Sequence, residues 1–530
     1  MSSRAPQRVL PDLVVPVDGF DKNPVFGPFV MSVVFVYDSQ LDTEKVYDAL
    51  VRVVMGDVGW RKVSGRLRNN DRGELEYHIP QSFSEGRKAI TSVRVDCSDM
   101  TLAEKLAENL DESKDGLKKD GLKIPRPPSD DQPAIVGDPD EIIKRIGAPK
   151  MPERREDYLL FDISLLGADF VSFKDSTVLV LHWPHTAFDL MALSSVQKAW
   201  SLALEGKDHE IPKALPPSSY PLENLGKTPS EPHVLADRQM SLFDIVLWGL
   251  RNFYRLAICK TEHRIVCVPK KFLEGLVAEA EKEDARVTPG DVLVSWVTHL
   301  TLPESKRHSK RLVCVQQACD WRSDILESQV PLLRNCVGFL VTLMPIGDVL
   351  TKPVGYLASA IRRSIREQRT KVQIEAYSSL MRKALITMMP PFFGNSSMRL
   401  LMFSNWTRAN LYDFDLSAAA IPAQDRDKPL FPYYVQTAQT PHNFPDGNII
   451  VGRDKEGNFW LSGFKQKKEW KAMEQKMKEF ARTMGLAKHE LYPRSTPPGY
   501  GTSLDIISQT FAVVGVAVAT WRLGRFFAWY

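Results

Sequence analysis

The sequence predicts an α/β protein with two halves of similar size. Strand-like and helix-like segments alternate along the chain, stop in the Pro-rich polar stretch 207–236, and start again after it. At 530 residues the chain is also too long for a single compact core. We therefore expect two α/β layers with a functional cleft between them.

The first half opens with a buried strand followed by a helix. Residues 25–37 are almost continuously apolar, and residues 43–55, which follow a capping Asp42, are predicted as a helix. Two short strands (GWRKVSGRLR and GELEYHIP) and a second helix at 103–111 come next. Residues 111–157 are charged and rich in Pro and Gly, so we expect a solvated and partly disordered insertion there.

The stretch around His185 joins a buried strand to an amphipathic helix. Residues 178–181 (VLVL) have the length and branching of a buried strand, and apolar residues recur about one turn apart from Leu190 to Leu204. Between them lies HTAFD, from His185 to Asp189. An imidazole at the mouth of a strand, with a carboxylate just ahead of a helix, suits a general base and its supporting group.

The spacing His-x-x-x-Asp is by itself a weak indicator, because it occurs three times in a chain with 10 histidines. His233 follows a linker-like segment without a strand, which favours a surface position, and His442 lies in turn-forming sequence that leads into a strand. Strand, turn and helix follow in the right order around His185. For that residue the alternative is a core or turn histidine held by backbone groups.

The second half repeats the alternation of helices and strands. Helices are predicted at residues 241–256, 270–282, 292–300 and 356–369, and strands at 263–269, 311–320 and 337–345. Near its end, a strand-like run is followed by Ser404, Asn405 and Trp406, which offer hydroxyl, amide and indole donors to a cleft. The alternative for this stretch is a strand end with a buried tryptophan.

Composition excludes several classes of function. A net charge of +4 is small against 69 basic and 65 acidic residues, so we expect no nucleic-acid partner. The six cysteines are scattered, which favours reduced thiols over disulfides or zinc, and we expect no metal. No Gly-x-Ser-x-Gly or Gly-x-Gly-x-x-Gly motif occurs, which disfavours a serine hydrolase or a dinucleotide enzyme.

The N-terminus lacks the apolar run of a signal peptide, so we expect a cytoplasmic protein.

The C-terminal segment 504–530 is apolar and aromatic, with two arginines. A spanning helix needs about 20 apolar residues, and the apolar part of this segment is shorter than that. It is consistent with a membrane anchor and also with a helix docked on the protein or on a partner.

These motifs together resemble those of the BAHD-type acyl-CoA-dependent acyltransferases, especially fungal members such as the trichothecene O-acetyltransferases. The family's His-x-x-x-Asp-Gly motif corresponds to HTAFDL, which keeps His185 and Asp189 and has Leu190 in place of glycine. Its Asp-Phe-Gly-Trp-Gly motif corresponds to DLSAA, which keeps Asp415 alone, and SNWTRANLYDFD resembles the segment ahead of it. The segments GRLR, VTPGDVLVSWVTHL, CDWRSDI and PLLRNCVGF also match in order, so the resemblance covers residues 13–484.

The resemblance implies two chloramphenicol-acetyltransferase-like domains with mixed β-sheets and an active-site channel at their interface. We place the N-terminal domain at 1–206, including the insertion 111–157, and the crossover at 207–236. The C-terminal domain would then be 237–495, followed by a hydrophobic tail at 496–530. We expect a monomer that contacts a membrane, if at all, through residues 504–530.

The function implied is O-acylation of a hydroxyl on a polyketide, terpenoid or alkaloid, with acyl-CoA as the co-substrate, acetyl as the expected acyl group, and no bound cofactor. His185 would be the general base, and Ser404 and Trp406 would donate hydrogen bonds to the oxyanion. Asp189 would orient its loop through an internal ion pair. Asp415 would pair with Arg322 as structural support of the site.

Two alternatives remain open within this resemblance. A condensation-type enzyme would take its acyl group from a carrier protein, but such enzymes usually have a second histidine before the motif, where this chain has Pro184. A non-catalytic member that only binds a ligand is favoured by the degenerate second motif. The retention of His185 and Asp189 speaks against it.

Overall fold

Two mixed β-sheets with helices packed on them form the frame of the protein. A computed structural model of the chain describes residues 6, 9–108, 122–327, 330–387, 390–422, 428–441 and 443–484. The predicted α/β class with mixed sheets is confirmed.

The first large sheet has five strands and carries the segment before His185. In spatial order the strands are Tyr434–Thr440, Val30–Tyr37, Thr177–Pro184, Gly167–Phe173 and Arg94–Cys97. All neighbours are antiparallel except the last pair, which is parallel. The two central strands are buried along their whole length, as their near-continuous apolar sequences predict.

The second large sheet has seven strands. In spatial order they are Val337–Pro345, Leu312–Asp320, Arg399–Asn405, Gly447–Arg453, Phe459–Lys465, Glu262–Val268 and Ala134–Gly137. Strand Arg399–Asn405 is parallel to both of its neighbours, and the other pairs are antiparallel. Of two smaller sheets, one has Leu75–Ile79 between Leu13–Pro16 and Arg66–Asn69, and the other pairs Ala420–Ile421 with Gln40–Leu41.

Each half of the chain contributes a strand to the other half's sheet. Ala134–Gly137 lies early in the chain but forms the edge of the seven-stranded sheet. Tyr434–Thr440 lies late in the chain but forms the edge of the five-stranded sheet. The first of these strands falls within residues 111–157, so part of the predicted insertion belongs to the seven-stranded sheet.

Most predicted helices are confirmed, with ends that shift by a few residues. Among the described residues, the helices of six or more residues are Thr43–Gly56, Leu102–Ala107, Pro139–Arg145, Arg155–Leu160, Leu190–Leu204, Leu242–Phe253, Lys270–Glu281, Pro289–Thr301, Ile346–Thr351, Val354–Gln368, Lys371–Thr387 and Lys467–Thr483. In the part of the chain that the structure describes, none of them has the length and hydropathy needed to cross a membrane.

Helix Leu190–Leu204 has a capped start and packs against the first sheet. The carboxylate of Asp189 accepts a hydrogen bond from the backbone nitrogen of Ala192, and Gly206 follows its end with φ of 76°. The indole of Trp200 donates to the carbonyl of Val46 at 2.7 Å, which joins this helix to helix Thr43–Gly56. The cap therefore fixes the start of the helix, next to His185, and Trp200 anchors its second half.

Candidate active site

One cavity of about 1200 Å³ is lined by residues from both halves of the chain. Phe26, Phe29 and Trp183 come from the first half, and Leu273 and Phe403 come from the second. The sequence predicted a functional cleft between two α/β layers, and this cavity has walls from both halves of the chain.

His185 follows strand Thr177–Pro184 directly and lies on the wall of this cavity. Its backbone nitrogen donates to the carbonyl of Phe29 at 2.8 Å. Its ring stacks on Phe26, with centroids 4.5 Å apart and an interplanar angle of 28°. Both aromatic residues precede the neighbouring strand Val30–Tyr37, so the pairing of two strands sets the position of the imidazole.

The side chain of Asn335 fixes the tautomer of His185. Its Nδ2 donates to Asp21 Oδ1 and to the carbonyl oxygen of His185, each at 2.9 Å. The other end of the amide, Oδ1, lies 3.1 Å from His185 Nδ1 and therefore accepts a hydrogen bond from it. A neutral imidazole with its proton on Nδ1 keeps a lone pair on Nε2. Nε2 is the atom that can take a proton from a molecule in the cavity.

The surroundings of His185 favour the neutral imidazole. Burial lowers the pKa of His185 below its usual 6.5, against the smaller opposing effects of a backbone hydrogen bond and of Asp189, Asn335 and Asp21. The side chain is therefore uncharged at neutral pH, which is the state that a general base requires.

Asp189 uses both carboxylate oxygens inside the protein. Arg322 donates to Oδ1 at 2.8 Å and to Oδ2 at 3.0 Å, a bidentate pair. Oδ2 also accepts from the backbone nitrogen of Cys336 at 2.8 Å, and Oδ1 caps the helix through Ala192. The structure thus contains the internal ion pair expected for Asp189, and its partner is Arg322.

Arg322 connects this ion pair to the loop that carries Asn335. Its Nη2 donates to the carbonyls of Leu332 at 3.2 Å and Arg334 at 2.6 Å. Arg334 and Cys336 are the two neighbours of Asn335 in sequence, and the ion pair binds the backbone of both. The pair therefore positions Asn335, which in turn holds His185.

Asp21 supports Asn335 from another direction. Its Oδ1 accepts from both the backbone nitrogen and the Nδ2 of Asn335, each at 2.9 Å, and Oδ2 accepts from Arg334 at 2.9 Å. The carboxylate is 1% exposed, so its charge is compensated by these donors within the protein interior.

Lys62 links the segment of His185 to the segment of Asn335. Its Nζ donates to the carbonyl of Ala187 at 3.0 Å and to that of Leu333 at 2.6 Å. Ala187 lies two residues after His185, and Leu333 lies two residues before Asn335. Burial lowers the pKa of Lys62 to about 7. Lys62, Asp21 and Asn335 were not predicted as site residues, because no local pattern in the sequence connects them.

Ser404 and Trp406 lie on the wall of the same cavity as His185. Strand Arg399–Asn405 delivers them, and the backbone nitrogen of Trp406 donates to the carbonyl of Ile450 at 2.8 Å. Trp406 is only 8% exposed and also lines the cavity. It is therefore both a buried tryptophan at a strand end and a residue that faces the cleft.

The predicted pairing of Asp415 with Arg322 is wrong. Asp415 Oδ1 accepts from the backbone nitrogens of Ser417 at 2.8 Å and Leu430 at 3.0 Å. The physical reason is that Asp189, Asp320 and backbone carbonyls already occupy the guanidinium of Arg322. Asp415 therefore joins two loop segments and does not contact the Arg322 ion pair.

The two motifs that lack the family's glycines have ordinary backbone conformations. Leu190 is the first residue of its helix, and Asp189 before it has φ of −91°. Ser417 and Ala419, which stand where the second motif has its glycines, lie in the 3-10 helix Ser417–Ala419. Leu190, Ser417 and Ala419 all lack a positive φ, so none of these positions needs glycine here.

The other two His-x-x-x-Asp patterns do not compete with His185. His233 is buried, against the surface position predicted for it, because its ring packs on Phe393 and its Nδ1 accepts from the backbone nitrogen of Leu235. It is absent from the residues that line the described cavity. His442 lies outside the described residues.

The chain is similar to fungal proteins along most of its length. It is 31% identical over 496 residues to transcriptional regulator calD of Penicillium decumbens, a match that covers 90% of this chain and 97% of that protein. It is 30% identical over 512 residues to acetyltransferase sphE of Aspergillus fumigatus, covering 90% and 96% of the two chains. No protein-family model matches the chain.

Among solved structures, the chain is similar to F. graminearum TRI101 in complex with ethyl coenzyme A. The TM-score is 0.61, at 14% sequence identity, and the match covers 89% of this chain and 98% of that one. At this identity the similarity establishes a shared fold, independently of the sequence motifs.

Proposed function

Because the chain belongs to the BAHD-type acyl-CoA-dependent acyltransferases, we propose that it transfers an acetyl group from acetyl-CoA to a hydroxyl of a small secondary metabolite. The observation that carries this proposal is the hydrogen bond between Asn335 and His185. It leaves Nε2 of a neutral imidazole as the proton acceptor on the wall of a cavity that both halves line.

The reaction uses His185 first as a base and then as an acid. Nε2 takes the proton of the acceptor hydroxyl, and the oxygen attacks the thioester carbonyl. The tetrahedral intermediate collapses to the ester and expels the CoA thiolate, which receives the proton back from Nε2. A positioned base of this kind contributes about 10²- to 10⁴-fold in rate.

We propose Ser404 and Trp406 as the donors that stabilise the oxyanion. Both line the cavity, and each offers one polar hydrogen, on Oγ and on Nε1. Loss of one such donor reduces transition-state stabilisation by roughly 3 kcal/mol. We assign Asp189 and Arg322 to positioning, because their bonds lead to Asn335 and to the helix start.

The walls of the cavity suit a lipophilic acceptor such as a terpenoid, polyketide or alkaloid alcohol. Aromatic and thioether side chains surround the stretch near His185, among them Phe26, Phe29, Met31 and Phe444. Apolar walls contribute affinity in proportion to the apolar area that the ligand buries.

A different part of the cavity suits the phosphates of CoA. Lys270, Arg453 and Lys455 line it and are exposed, and Lys270 packs beside the turn that contains Gly457. Lys455 pairs with Asp413 at 2.5 Å and Lys270 with Glu274 at 3.8 Å, so phosphates would compete with these carboxylates for the two ammonium groups, and Arg453 adds a third cation that attracts a polyanion. We propose that CoA enters past these side chains and that the acceptor reaches His185 along the aromatic wall.

The test is release of free thiol from acetyl-CoA by the purified protein with a panel of hydroxylated terpenoids, polyketides and alkaloids. We expect acceptor-dependent release that His185→Ala abolishes. His209→Ala, which changes an exposed histidine, should retain it. Thiol release that survives in His185→Ala would refute the base assignment.

A non-catalytic role, such as the name of the relative calD would suggest, predicts a different result. In that case wild type and His185→Ala would both bind acetyl-CoA and release no thiol with any acceptor. A carrier-dependent condensation enzyme would instead be active when the acyl group is supplied on a carrier protein and silent with acetyl-CoA.

We also propose the division into domains 1–206 and 237–495, joined by 207–236, and a monomeric cytoplasmic protein. The tail 496–530 lies outside the described residues, and we propose that residues 504–530 contact a membrane. If deletion of 502–530 leaves the distribution between membrane and soluble fractions unchanged, that contact is refuted.

A further inference from the structure

An exposed apolar face runs along helix Leu242–Phe253 and its continuation Tyr254–Ile258. Seven large apolar side chains of this segment are 38% to 74% exposed: Leu242, Phe243, Val246, Leu250, Tyr254, Leu256 and Ile258. Single exposed apolar residues are ordinary on protein surfaces, but a contiguous set on one element marks a contact surface.

The spacing places most of this set on one side of the helix. Leu242, Val246, Leu250 and Tyr254 are each four residues apart, and Phe243 lies beside the first of them. Residues four apart in a helix share a face. The face therefore forms a continuous apolar strip about three turns long.

The opposite side of the same helix is already packed, so the exposed strip is not the helix's own core face. Ile245 is buried, and the indole of Trp248 stacks on Phe392 and donates to the carbonyl of Met398 at 3.1 Å. Arg255 binds the carboxylate of Glu469 at 2.7 Å. A helix held this firmly on one side presents the other as a rigid surface.

Basic side chains flank the strip. Four arginines lie close together beside the helix. Arg255 and Arg399 share the carboxylate of Glu469, at 2.7 and 3.2 Å, and Arg251 and Arg311 both bind the segment from Ser396 to Met398. Lys260 is exposed where the segment ends.

Two of these arginines keep an uncompensated charge. Arg251 donates to Ser396 Oγ, and Arg311 donates to the carbonyl of Met398. Among the described residues neither forms an ion pair with a carboxylate. An apolar strip with cations at its border is the pattern of a helix that lies in the surface of an anionic membrane.

We propose that helix Leu242–Phe253 with its continuation Tyr254–Ile258 docks on the surface of an anionic lipid bilayer. The side chains of Phe243, Leu250 and Tyr254 enter the boundary between headgroups and acyl chains, and Arg251 with Lys260 reaches the headgroup charges. The helix lies in the plane of the surface and does not cross the bilayer. This contact is separate from any contact made by residues 504–530.

The test is flotation of the full chain with phosphatidylcholine vesicles that contain or lack phosphatidylserine. The variant carries Phe243→Ser, Leu250→Ser and Tyr254→Ser. The matched control carries Val58→Ser, Leu160→Ser and Phe161→Ser, three apolar side chains that are 52%, 40% and 55% exposed elsewhere. We expect the wild type and the control to float with the anionic vesicles, and the strip variant to show a severalfold smaller bound fraction.

Hydrogen exchange of the wild type supplies the position of the contact. Anionic vesicles should slow exchange of peptides that cover 242–258. Failure of the wild type to bind, equal binding of the strip variant, or slowed exchange confined to 504–530 would each overturn the proposal. If exchange at 242–258 slows with rising protein concentration and does not change when vesicles are added, the strip binds a second copy of the chain, and this result would also overturn the proposal.

Discussion

The side-chain nitrogen of Asn335 donates to the carbonyl oxygen of His185 at 2.9 Å, while the side-chain oxygen of the same amide faces His185 Nδ1 at 3.1 Å. One side chain therefore binds both the backbone and the ring of the proposed base. Rotation of the imidazole would break one bond, and displacement of the loop would break the other, so both the place and the tautomer of His185 depend on Asn335.

Replacement of Asn335 by alanine should lower kcat and leave the KM for acetyl-CoA unchanged. Without the acceptor at Nδ1 the imidazole populates both tautomers and loses its orientation. The loss should be smaller than the ~10²- to 10⁴-fold contributed by the base as a whole. Steady-state kinetics with an active acceptor measure it, and Asn69→Ala, an exposed asparagine, is the control. An unchanged kcat would exclude the positioning role.

Breaking the ion pair between Asp189 and Arg322 should destabilise the protein strongly. Asp189→Ala removes the bidentate partner of a guanidinium with little exposure, which keeps its ion pair with Asp320 at 2.6 Å, and it leaves the backbone nitrogen of Cys336 without its acceptor. We therefore expect a loss of unfolding free energy near the lower end of the about 3–5 kcal/mol that breaking a buried ion pair costs. The control is Asp208→Ala, since Asp208 and Arg52 form an exposed pair whose loss should cost less than about 1 kcal/mol. Urea unfolding compares the two, and similar losses would refute the importance assigned to the buried pair.

The ion pair that the sequence resemblance suggested can be tested in the same way. A double-mutant cycle between Asp415 and Arg322 should give a coupling energy near zero, because the two side chains share no contact. A cycle between Asp189 and Arg322 should give a large one. A large coupling energy between Asp415 and Arg322 would instead support the ion pair that the resemblance implied.

Acyl transfer should rise with pH through the pKa of His185 and then stay level. The base acts when neutral, and burial lowers its pKa below 6.5, so kcat/KM should reach its plateau before neutral pH. The measurement is the pH dependence of thiol release at low acceptor concentration. A midpoint above pH 7 would contradict the environment described for the imidazole.

Lys62 should make the stability of the fold increase with pH above neutrality. Burial lowers the pKa of its ammonium from 10.5 to about 7 in the folded protein. Between these values the unfolded chain holds a proton that the folded protein has released, so a rise in pH favours folding by at most about 1.4 kcal/mol per pH unit. Below the lower value both states are protonated, and the contribution no longer changes.

The comparison that isolates this effect is the unfolding free energy of wild type and Lys62→Met between pH 7 and 10. The wild type should gain stability relative to the variant as pH rises. If the unfolding free energies of the two proteins changed in parallel with pH, Lys62 would have the same pKa in the folded and the unfolded chain, and the expected effect would be refuted.

Local features of the sequence predicted the elements that carry the site but not the contacts between them. Apolar residues about one turn apart predicted helix Leu190–Leu204, because the period of a helix is visible within a short stretch of sequence. The contact between His185 and Asn335 joins residues 150 positions apart, and the one between Asn335 and Asp21 joins residues 314 apart. Only the folded arrangement of both halves brings such groups together, so no local pattern contains them.

The exchange of strands between the two sheets also escaped the sequence analysis. The strand at residues 134–137 is short and lies beside charged, Pro-rich sequence, which predicted a solvated insertion. Their pairing with strand Glu262–Val268 depends on a partner edge more than a hundred residues later. Edge strands of this kind have little pattern of their own because one neighbour supplies their hydrogen bonds.

This exchange has a consequence for synthesis on the ribosome. Strand Val30–Tyr37 is made early, but its edge partner Tyr434–Thr440 follows roughly 400 residues later, which at 5–20 residues per second is about 20–80 s of translation. During that time the nascent chain exposes an apolar β-edge that can pair with other chains. Chaperone supply and translation speed should therefore govern the yield of active protein more than the final stability does.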